Sequence, residues 1–455
     1  MNKNIVFISI GIIALLLRLF VNFRFELIPG INGGYYPVQV RQLLENGWIG
    51  FNDMPLYFLL NAFFVWLIDL FIDIDKNRLI LYTVKIVDAF NFIGILFPVY
   101  FLFKNKKVSD KTIHKLSFAL FTVLSIAPMI LLSDNQKNSF GILMAFLFLS
   151  YIILNIQNLG FKQKFIAAVL LIMVLLSHFG TFVILLLLIA LYLFFTYRKK
   201  AVLPIIVLSV LSFSFISVFD FSRAKRMVTF IFQIFQHPAF LKLQPPDFLN
   251  LLFAIVLLFF AFKVLKRMKS SGTSIIFSTK FEINVIKANI WLLIILSLPV
   301  ISDDYFRRFQ ILTYIPVLLL LIFIFVYITN LQKVVLTVFM LAMVFVSIPM
   351  VLKEKLPAIT YQAFTDLKNI GPLINTETPI VIARHGLEWW TAWALGCKIA
   401  QEKALAPNSA QYPNIYVLKQ ISGKTALRQH FNEPLLNEKV QLIYKSDYFE
   451  LYKYK

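Results

Sequence analysis

The chain is a succession of long apolar stretches separated by short polar segments. From residue 4 to residue 352 the apolar stretches recur at lengths of about 18 residues or more, and a helix of that length crosses the roughly 30 Å of hydrocarbon in a bilayer. The predicted spans are 4–23, 54–74, 79–103, 116–132, 139–157, 165–178, 181–197, 201–220, 248–266, 285–301, 309–329 and 334–352. The pattern predicts an all-α polytopic membrane bundle of about 11 to 13 transmembrane helices.

The pattern changes after residue 352 to that of a soluble domain. TDLKNIGPLI predicts a short helix, PIVIARHG a strand that ends in a turn, and LEWWTAWALGCKIAQ an amphipathic helix. NIYVLKQI and VQLIYKSDYFELYKY read as strands. We therefore divide the chain into a transmembrane domain, residues 1–352, and a small soluble α/β domain, residues 353–455.

Clusters of Lys and Arg at the ends of the apolar stretches predict the orientation. KNKK, FKQK, YRKK and KVLKRMK contribute to a net charge of +21, and the positive-inside rule makes these loops cytoplasmic. The first loop, SDNQKNS, SDDYFRRF and the C-terminal domain are then extracytoplasmic, as in a multi-pass protein of a bacterial inner membrane. This orientation requires an odd number of crossings between residues 54 and 103. Two are predicted there, so one of those stretches is re-entrant or wrongly divided.

The outer loop between the first two spans, residues 24–53, is long, polar and rich in Gly, Tyr and Asn. Irregular polar backbone persists near a bilayer only where protein or a watery cavity satisfies it. Paired glycines precede YYPVQVRQLLENG, which has the spacing of a juxtamembrane helix with Arg41 and Glu45 on one face. An interfacial belt of aromatic residues is the alternative, but it does not explain the glycines. We interpret the loop as one wall of an active site.

This loop resembles the first outer loop of the GT-C superfamily of polytopic glycosyltransferases, which includes protein mannosyltransferases, aminoarabinose transferases of lipid A and oligosaccharyltransferases. The elements that carry the resemblance are GINGGYYPVQVRQLLENG and NDMPLYF. The resemblance implies a membrane glycosyltransferase that moves a sugar from a polyprenyl-phosphate carrier to an extracytoplasmic glycan, lipid or protein acceptor in the cell envelope. The implied partners are that donor, the acceptor and membrane lipids, and no nucleic acid.

One residue departs from the pattern of the superfamily. A carboxylate usually stands where this chain has Asn32, and it is understood to act as general base on the attacking hydroxyl. An amide can position a hydroxyl but cannot accept its proton. Asp53 and Asp134 are the nearest candidates for the missing base. The loop residues expected to shape the substrate pocket are Tyr35, Tyr36 and Arg41.

A second polar segment, SDNQKNS, lies on the same predicted face and supplies Asp134 and Lys137. A solvated turn with a helix cap at Asn138 or Ser139 is the alternative interpretation. His178 lies between two spans on this face and is a further candidate for substrate binding. A lone His in such a place is more often a hydrogen-bonding group at a helix end.

A third segment, SDDYFRRF, contains Asp303, Asp304, Arg307 and Arg308 between two apolar spans. Four charges so close to the membrane are costly unless they are paired or hydrated. The two arginines are suited to bind the phosphate of a polyprenyl-phosphate donor. An Asp–Arg network that fixes two helix ends is the alternative, and the two interpretations are compatible.

Other functional classes stay open at this point. A transporter or flippase of a lipid-linked or anionic substrate would use membrane charges such as Lys85 and Asp88 to line a pathway. A non-catalytic scaffold of the same fold would explain Asn32. The three Trp residues of EWWTAW lie beside His385 and Glu388 and suit a sugar ring or the packing of the domain. No grouping has metal-ligand spacing, so no cofactor is expected, with a divalent ion on dispersed carboxylates as the alternative.

Overall fold

A computed structural model describes residues 5–219, 225, 229, 232–270, 277–374, 379–400, 414–421 and 440–454. Eight helical stretches in these ranges are long and apolar enough to cross a bilayer. The helices of the membrane part are α1 (Ile5–Phe23), α2 (Tyr35–Asn46), α3 (Leu56–Asp69), α4 (Lys76–Ile93), α5 (Leu96–Asn105), α6 (Thr112–Leu124), α7 (Ile126–Leu131), α8 (Gln136–Asn155), α9 (Phe161–Ser177), α10 (Phe179–Tyr197), α11 (Val202–Phe219), α12 (Pro245–Ser270), α13 (Phe277–Leu296), α14 (Asp303–Leu312), α15 (Tyr314–Ile324) and α16 (Asn330–Glu354). The prediction of a polytopic helical bundle is confirmed.

The surface of α1 shows how the bundle meets lipid. Ile12, Leu16 and Phe20 recur one turn apart and are more than half exposed, whereas Ile10 and Ala14 on the other side are buried. A stripe of large exposed apolar side chains is unfavourable in water. In a bilayer it is the expected outer surface, because lipid tails are as apolar as the side chains.

The helices α4 and α5 together make one crossing beside α1. The ring of Tyr82 in α4 lies 5.9 Å from that of Phe23 at the end of α1. The ring of Tyr100 in α5 lies 5.2 Å from that of Phe7 near the start of α1. The pair therefore runs antiparallel to α1 along its length, as a single candidate span from Lys76 to Asn105.

The helix α3 is the stretch that does not cross. The hydroxyl of Tyr57 at its start donates to Gln136 in the first turn of α8 at 2.7 Å, and α3 packs against α2 and α4. Only residues 70–75 join α3 to α4, so α3 ends where α4 begins. The stretch 54–74, expected to be a span, instead forms a helical hairpin with the start of α4.

With one crossing removed, the number between residues 54 and 103 is odd. The first loop and the C-terminal domain then lie on the same face of the bundle, which we call the loop face. The opposite face carries the clusters of Lys and Arg, and we call it the basic face. The conflict in the predicted orientation came from the stretch 54–74. It is apolar and long enough to cross a bilayer, but it packs beside the bundle without crossing.

Two segments expected to be connections are parts of helices. The helix α8 begins at Gln136, so Lys137 lies in its first turn, and the predicted cap at Asn138 or Ser139 is placed too late. The helix α14 begins at Asp303, directly after Ser302, and includes the two arginines of SDDYFRRF. Asn135 and Ser302 occupy the N-cap positions, where Asn and Ser are favoured because their side-chain oxygen can accept a backbone N–H of the first turn, but neither side chain makes that bond here.

The C-terminal domain is a small α/β unit, as predicted. Its elements are α17 (Tyr361–Asn369), β1 (Pro379–Ile382), α18 (Leu387–Leu395), β2 (Lys398–Ala400), β3 (Asn414–Gln420), β4 (Val440–Lys445) and β5 (Phe449–Tyr454). The strand order is β2-β1-β3-β5-β4. The strand β1 is parallel to β2 and β3, while β5 is antiparallel to β3 and β4.

The helix expected over LEWWTAWALGCKIAQ is shorter than predicted. It ends at Leu395 because Gly396 takes a left-handed conformation with φ of +66° and donates its N–H to the carbonyl of Ala392. Residues 398–400, expected to continue the helix, form β2 instead. A glycine at this position ends a helix because the conformation costs it nothing.

Candidate active site

The first loop meets the connection between α7 and α8 at one point on the loop face. Gly30 has a φ of +99°, and a Cβ atom added there would lie 2.5 Å from the Cβ of Asp134. Glycine alone permits this approach at this backbone angle. Gly30 also donates its N–H to the carbonyl of Leu356 at 2.9 Å, which fixes the turn to the chain just after α16. The glycine-rich turn therefore brings the loop against a carboxylate.

Asn32 holds that carboxylate. Its backbone N–H donates to Oδ1 of Asp134 at 2.7 Å, and its side-chain amide donates to the same oxygen at 3.2 Å. The hydroxyl of Tyr36 donates to the backbone carbonyl of Asp134 at 3.2 Å, and burial raises the pKa of Tyr36 well above its ordinary value, so it stays a donor. Among the described residues, no hydrogen bond reaches Oδ2 of Asp134. Asn32 thus positions an acceptor that the loop itself lacks.

Asp53, the other candidate for the base, is surrounded by donors. Its side chain is 3% exposed and pairs with the ammonium of Lys137. The hydroxyl of Tyr35 donates to its Oδ2 at 2.5 Å, and the N–H of Met54 donates to its Oδ1 at 2.8 Å. Donors therefore occupy both oxygens of this carboxylate and leave little room for an acceptor hydroxyl. Of the two predicted candidates, the geometry favours Asp134.

A buried polar network fixes the backbone next to Asp134. Asp88 on α4 accepts hydrogen bonds from the N–H of Ser133 and from the amide of Asn22, both at 3.0 Å. The hydroxyl of Ser133 donates to Asn22 at 2.5 Å, and Arg18 lies 3.9 Å from Asp88. Ser133 has a φ of +67°, which is uncommon for a residue with a side chain. The network therefore stabilises the turn that presents Asp134.

Arg41 connects the first loop to the C-terminal domain. Its guanidinium donates to the carbonyls of Ala392 and Trp393 at 2.8 and 2.9 Å and lies 4.4 Å from the ring of Trp393. These carbonyls are in the last turn of α18, where the helix dipole favours a cation. The structure places Arg41 at this contact between domains.

Two of the three Trp residues are buried, and the third packs on the loop. Trp390 and Trp393 belong to the core. The ring of Trp389 lies 4.8 Å from that of Tyr35 and 5.1 Å from that of Phe51, both edge to face. Such pairs add stability beyond the area they bury. Trp389, together with the contact of Arg41 with Trp393, thus docks the C-terminal domain on the first loop.

A cavity of about 720 Å³ opens beside Asp134 on the loop face. Its walls come from α7, the turn before α8, the start of α12, α14 and the end of α16. The charged residues that line it are Asp134, Asp247, Arg307, Glu354 and Lys355. Aliphatic side chains and amides form most of the remaining wall. The cavity thus combines apolar walls with both carboxylates and cations, as a site for an amphipathic ligand does.

The segment SDDYFRRF delivers one of its two arginines to this cavity. Arg307 donates Nε–H to Asp303 at 2.9 Å, which is an i,i+4 pair on α14. The pair orients the guanidinium, and in the described part of the chain its two terminal nitrogens keep their N–H groups for a ligand. Arg308 is exposed and does not line the cavity. The side chain of Asp304 lies outside what the structure describes.

Sequence reasoning missed most of the polar residues of the cavity, among them Lys355 and Gln310. Lys355 is buried and its ammonium donates to the carbonyl of Ile130 at 2.6 Å. Gln310 is buried as well, and its amide nitrogen has no hydrogen-bond partner within the described ranges. Lys355 lies three residues after the last predicted span, in the charged segment KEK, and that segment was the available signal. Gln310 lies inside a predicted span, so only the packing of the helices reveals it.

His178 caps a helix. Its Nδ1 accepts the backbone N–H of Thr181 at 3.1 Å at the start of α10. A Cβ atom on Gly141 would lie 2.6 Å from the Cβ of His178, so α8 approaches the cap closely. This placement fits a hydrogen-bonding group at a helix end, and His178 does not line the cavity.

His385 of the C-terminal domain lies close to the first loop. Its neighbour Gly386 packs on Ile31, and its Nδ1 lies 2.9 Å from the buried carboxylate of Glu388. The hydrogen bond to Glu388 raises the pKa of His385 above its ordinary value. Burial and the charge of Arg384 oppose this shift, and the charge of Asp134 adds to it.

The pair of His385 and Glu388 predicts that the stability of the C-terminal domain falls at high pH. Because the folded pKa is raised, the stabilisation is fully present below the unfolded pKa of about 6.5 and is lost as the pH rises through the folded pKa. We expect proteolysis of this domain in membranes to accelerate above about pH 6.5, and His385→Gln to remove that acceleration. Equal pH dependence in both proteins would contradict the assignment.

No group of three or more His, Cys, Asp or Glu side chains in the described ranges is arranged to hold a metal ion. The groups nearest to Asp134 are the backbone N–H and the side-chain amide N–H of Asn32, which donate hydrogen bonds and do not ligate a metal. The groups that the site offers for chemistry are three carboxylates, amides and two cations.

Membrane glycosyltransferases of known structure share this architecture. The oligosaccharyltransferase of Archaeoglobus fulgidus, in complex with zinc and sulfate, matches with a TM-score of 0.57 at 13% identity, over 90% of this chain and 68% of that one. Archaeal AglB from the same organism, with an inhibitory peptide and a dolichol-phosphate, gives 0.58 at 12% over 90% and 69%. ArnT of Cupriavidus metallidurans in the apo state gives 0.50 at 9% over 99% and 97%. The chain has the GT-C fold.

The GT-C fold confirms the resemblance that the first loop indicated. No protein-family model and no curated protein matches the sequence. Identities of 13% and below show a shared architecture, and function has to be argued from the site. Within the GT-C fold of this chain, the first loop, the turn at Asp134 and the C-terminal domain meet on one face of a multi-pass membrane protein.

Proposed function

We propose that the chain is a glycosyltransferase that moves one sugar from a polyprenyl-phosphate carrier to an acceptor hydroxyl on the loop face. The observation that carries the proposal is the carboxylate of Asp134, held by Asn32 at the wall of a cavity that also contains Arg307 and Lys355. The dolichol-phosphate in the structure of AglB supports a donor of this class. The loop face would be the extracytoplasmic side of the inner membrane.

In the proposed reaction Asp134 is the general base. The hydroxyl oxygen of the acceptor attacks the anomeric carbon of the donor while its proton passes to Oδ2 of Asp134. The bond from the anomeric carbon to the phosphate oxygen breaks, and its electron pair leaves with the polyprenyl phosphate. Attack opposite the leaving group inverts the anomeric configuration. Asn32 fixes Oδ1, which explains an amide at the place where the superfamily has an acid.

The cations of the cavity would bind the leaving phosphate. Arg307 is held by Asp303 through Nε and can present its two terminal nitrogens to one phosphate group. Lys355 adds a second positive charge from the end of α16. Both would stabilise the negative charge that develops as the glycosidic bond breaks. The buried amide of Gln310 offers a further donor to a sugar or phosphate oxygen.

The adjacent arginines of α14 provide a matched test of this proposal. A strain that lacks the gene is complemented with wild type, Arg307→Ala or Arg308→Ala, and its lipid-linked sugars and envelope glycans are profiled. We expect Arg308→Ala to restore transfer, and Arg307→Ala to accumulate the donor lipid with transfer reduced on the order of a hundredfold. Equal complementation by the two variants would contradict the phosphate site.

The same profiles distinguish the other classes of function. A transporter would leave the lipid-linked sugar on the basic face when the gene is deleted, whereas a transferase leaves it on the loop face. A scaffold would tolerate Arg307→Ala. Lys85, expected to line a transport pathway, already has hydrogen-bond partners in the structure. Its ammonium donates to the carbonyls of Phe25 and Glu26, both at 2.8 Å.

A further inference from the structure

A second groove lies between α10, α12 and α13, away from Asp134. Its volume is about 410 Å³ and its walls are mainly aromatic and aliphatic. Phe195 is two residues from the end of α10, and Lys266 is four residues from the end of α12, so both lie near the basic face. Trp291 on the wall is half exposed. The groove therefore opens toward lipid near the basic surface of the bundle.

Two lysines line this groove, and none of the described residues around it is acidic. Lys266 is exposed, and Lys287 is partly buried with its ammonium 5.9 Å from the ring of Phe195. The one carboxylate of α13, that of Glu282, is held by Lys106 at 2.7 Å and by the hydroxyl of Tyr327. The lining of the groove therefore carries positive charge at its end near the basic face.

The sequence around the groove adds positive charge. YRKK begins two residues after Phe195, and KVLKRMK contains Lys266. Basic pockets between transmembrane helices near a membrane surface attract anionic lipid headgroups, and each Lys or Arg adds to that attraction. The apolar walls meanwhile continue from the lysines into the hydrocarbon. One end of the groove suits an anion and the other suits an acyl chain.

We propose that this groove binds one anionic phospholipid of the surrounding leaflet. Its phosphate would lie between Lys266 and Lys287, and the start of an acyl chain would lie along Phe195 and Trp291. A zwitterionic lipid is disfavoured because its cationic headgroup meets no carboxylate in the groove. The proposal does not depend on catalysis at Asp134.

The test compares two pairs of lysines on the basic face. Full-length protein is placed in phosphatidylcholine nanodiscs with increasing phosphatidylglycerol, and the lipid retained is measured by native mass spectrometry. We expect Lys266→Gln with Lys287→Gln to weaken retention of phosphatidylglycerol by about tenfold. The control, Lys162→Gln with Lys164→Gln, removes two charges at the start of α9 and should leave retention unchanged.

Three outcomes would overturn the proposal. Equal losses in the two double variants would mean that the lysines act only through bulk attraction to the membrane. Displacement of phosphatidylglycerol by polyprenyl phosphate, with tighter retention at the same lysines, would identify the carrier as the occupant. A lower melting temperature of the first double variant in pure phosphatidylcholine would assign the lysines to the fold. Asp134→Asn is expected to retain the lipid.

Discussion

Asp134→Asn is expected to lower the rate of sugar transfer by about 10²- to 10⁴-fold, the usual range for loss of a positioned general base. The amide keeps an oxygen for the hydrogen bonds from Asn32, which donates to Oδ1 of Asp134 at 2.7 and 3.2 Å. It cannot accept the proton of the acceptor hydroxyl. The measurement is the rate of sugar release from a polyprenyl-phosphate donor in membranes, normalised to the amount of protein.

Asp110→Asn is the matched control, because this carboxylate is 86% exposed and lies between α5 and α6 on the basic face. Its rate should equal that of wild type. A rate for Asp134→Asn within a few-fold of the control, at equal protein in the membrane, would remove Asp134 from the base role. The fold and the cavity do not depend on that result, but the proposed mechanism would be wrong.

Exchanging the residues at positions 32 and 134 tests which of the two positions holds the general base. Asn32→Asp alone puts a second carboxylate against Asp134 and removes the donating amide, and two such charges cannot both stay ionised at low cost. We expect this variant to be slower than wild type, although it restores the acid that the superfamily usually has there. Asn32→Asp with Asp134→Asn restores one carboxylate and one amide, and should regain part of the rate. A faster Asn32→Asp would show that the base belongs at position 32.

Asp88→Ala is expected to lower the free energy of unfolding by about 3–5 kcal/mol, as removal of one partner from a buried ion pair does. Arg18 and Asp88 are fully buried, so the variant leaves an uncompensated guanidinium. It also removes the acceptor for the N–H of Ser133. The measurement is thermal unfolding of purified protein in detergent, together with the yield in membranes.

A double variant separates the cost of the unpaired charge from the loss of the turn. Arg18→Met with Asp88→Leu removes both charges, and replacement of a whole buried pair by apolar residues is often neutral. We expect its stability to recover most of the loss, while transfer stays impaired because Ser133 has lost its acceptor. Full recovery of transfer would show that Asp88 does not position Asp134.

Some residues of the candidate site could be predicted from the sequence, and others could not. GINGGYYPVQVRQLLENG indicated the fold, since glycines and a short amphipathic helix are local signals. The loss of a carboxylate at Asn32 was visible too. Two candidates for the base stood equal in the sequence, however, because both are Asp in polar segments near apolar spans. Only the pairing of Asp53 with Lys137 and of Asp134 with Asn32 distinguishes them.

The sequence by itself determined the membrane character of this protein, most of its helices and the α/β nature of its C-terminal domain. These features depend on hydrophobic period and on turn residues close in the chain. Tertiary structure decided that residues 54–74 form a hairpin instead of a span, and that Lys355 and Gln310 join Arg307 at one cavity. The contacts concerned join residues far apart in the chain, such as Gly30 with Leu356. The periodicity of a segment carries no information about its distant partners.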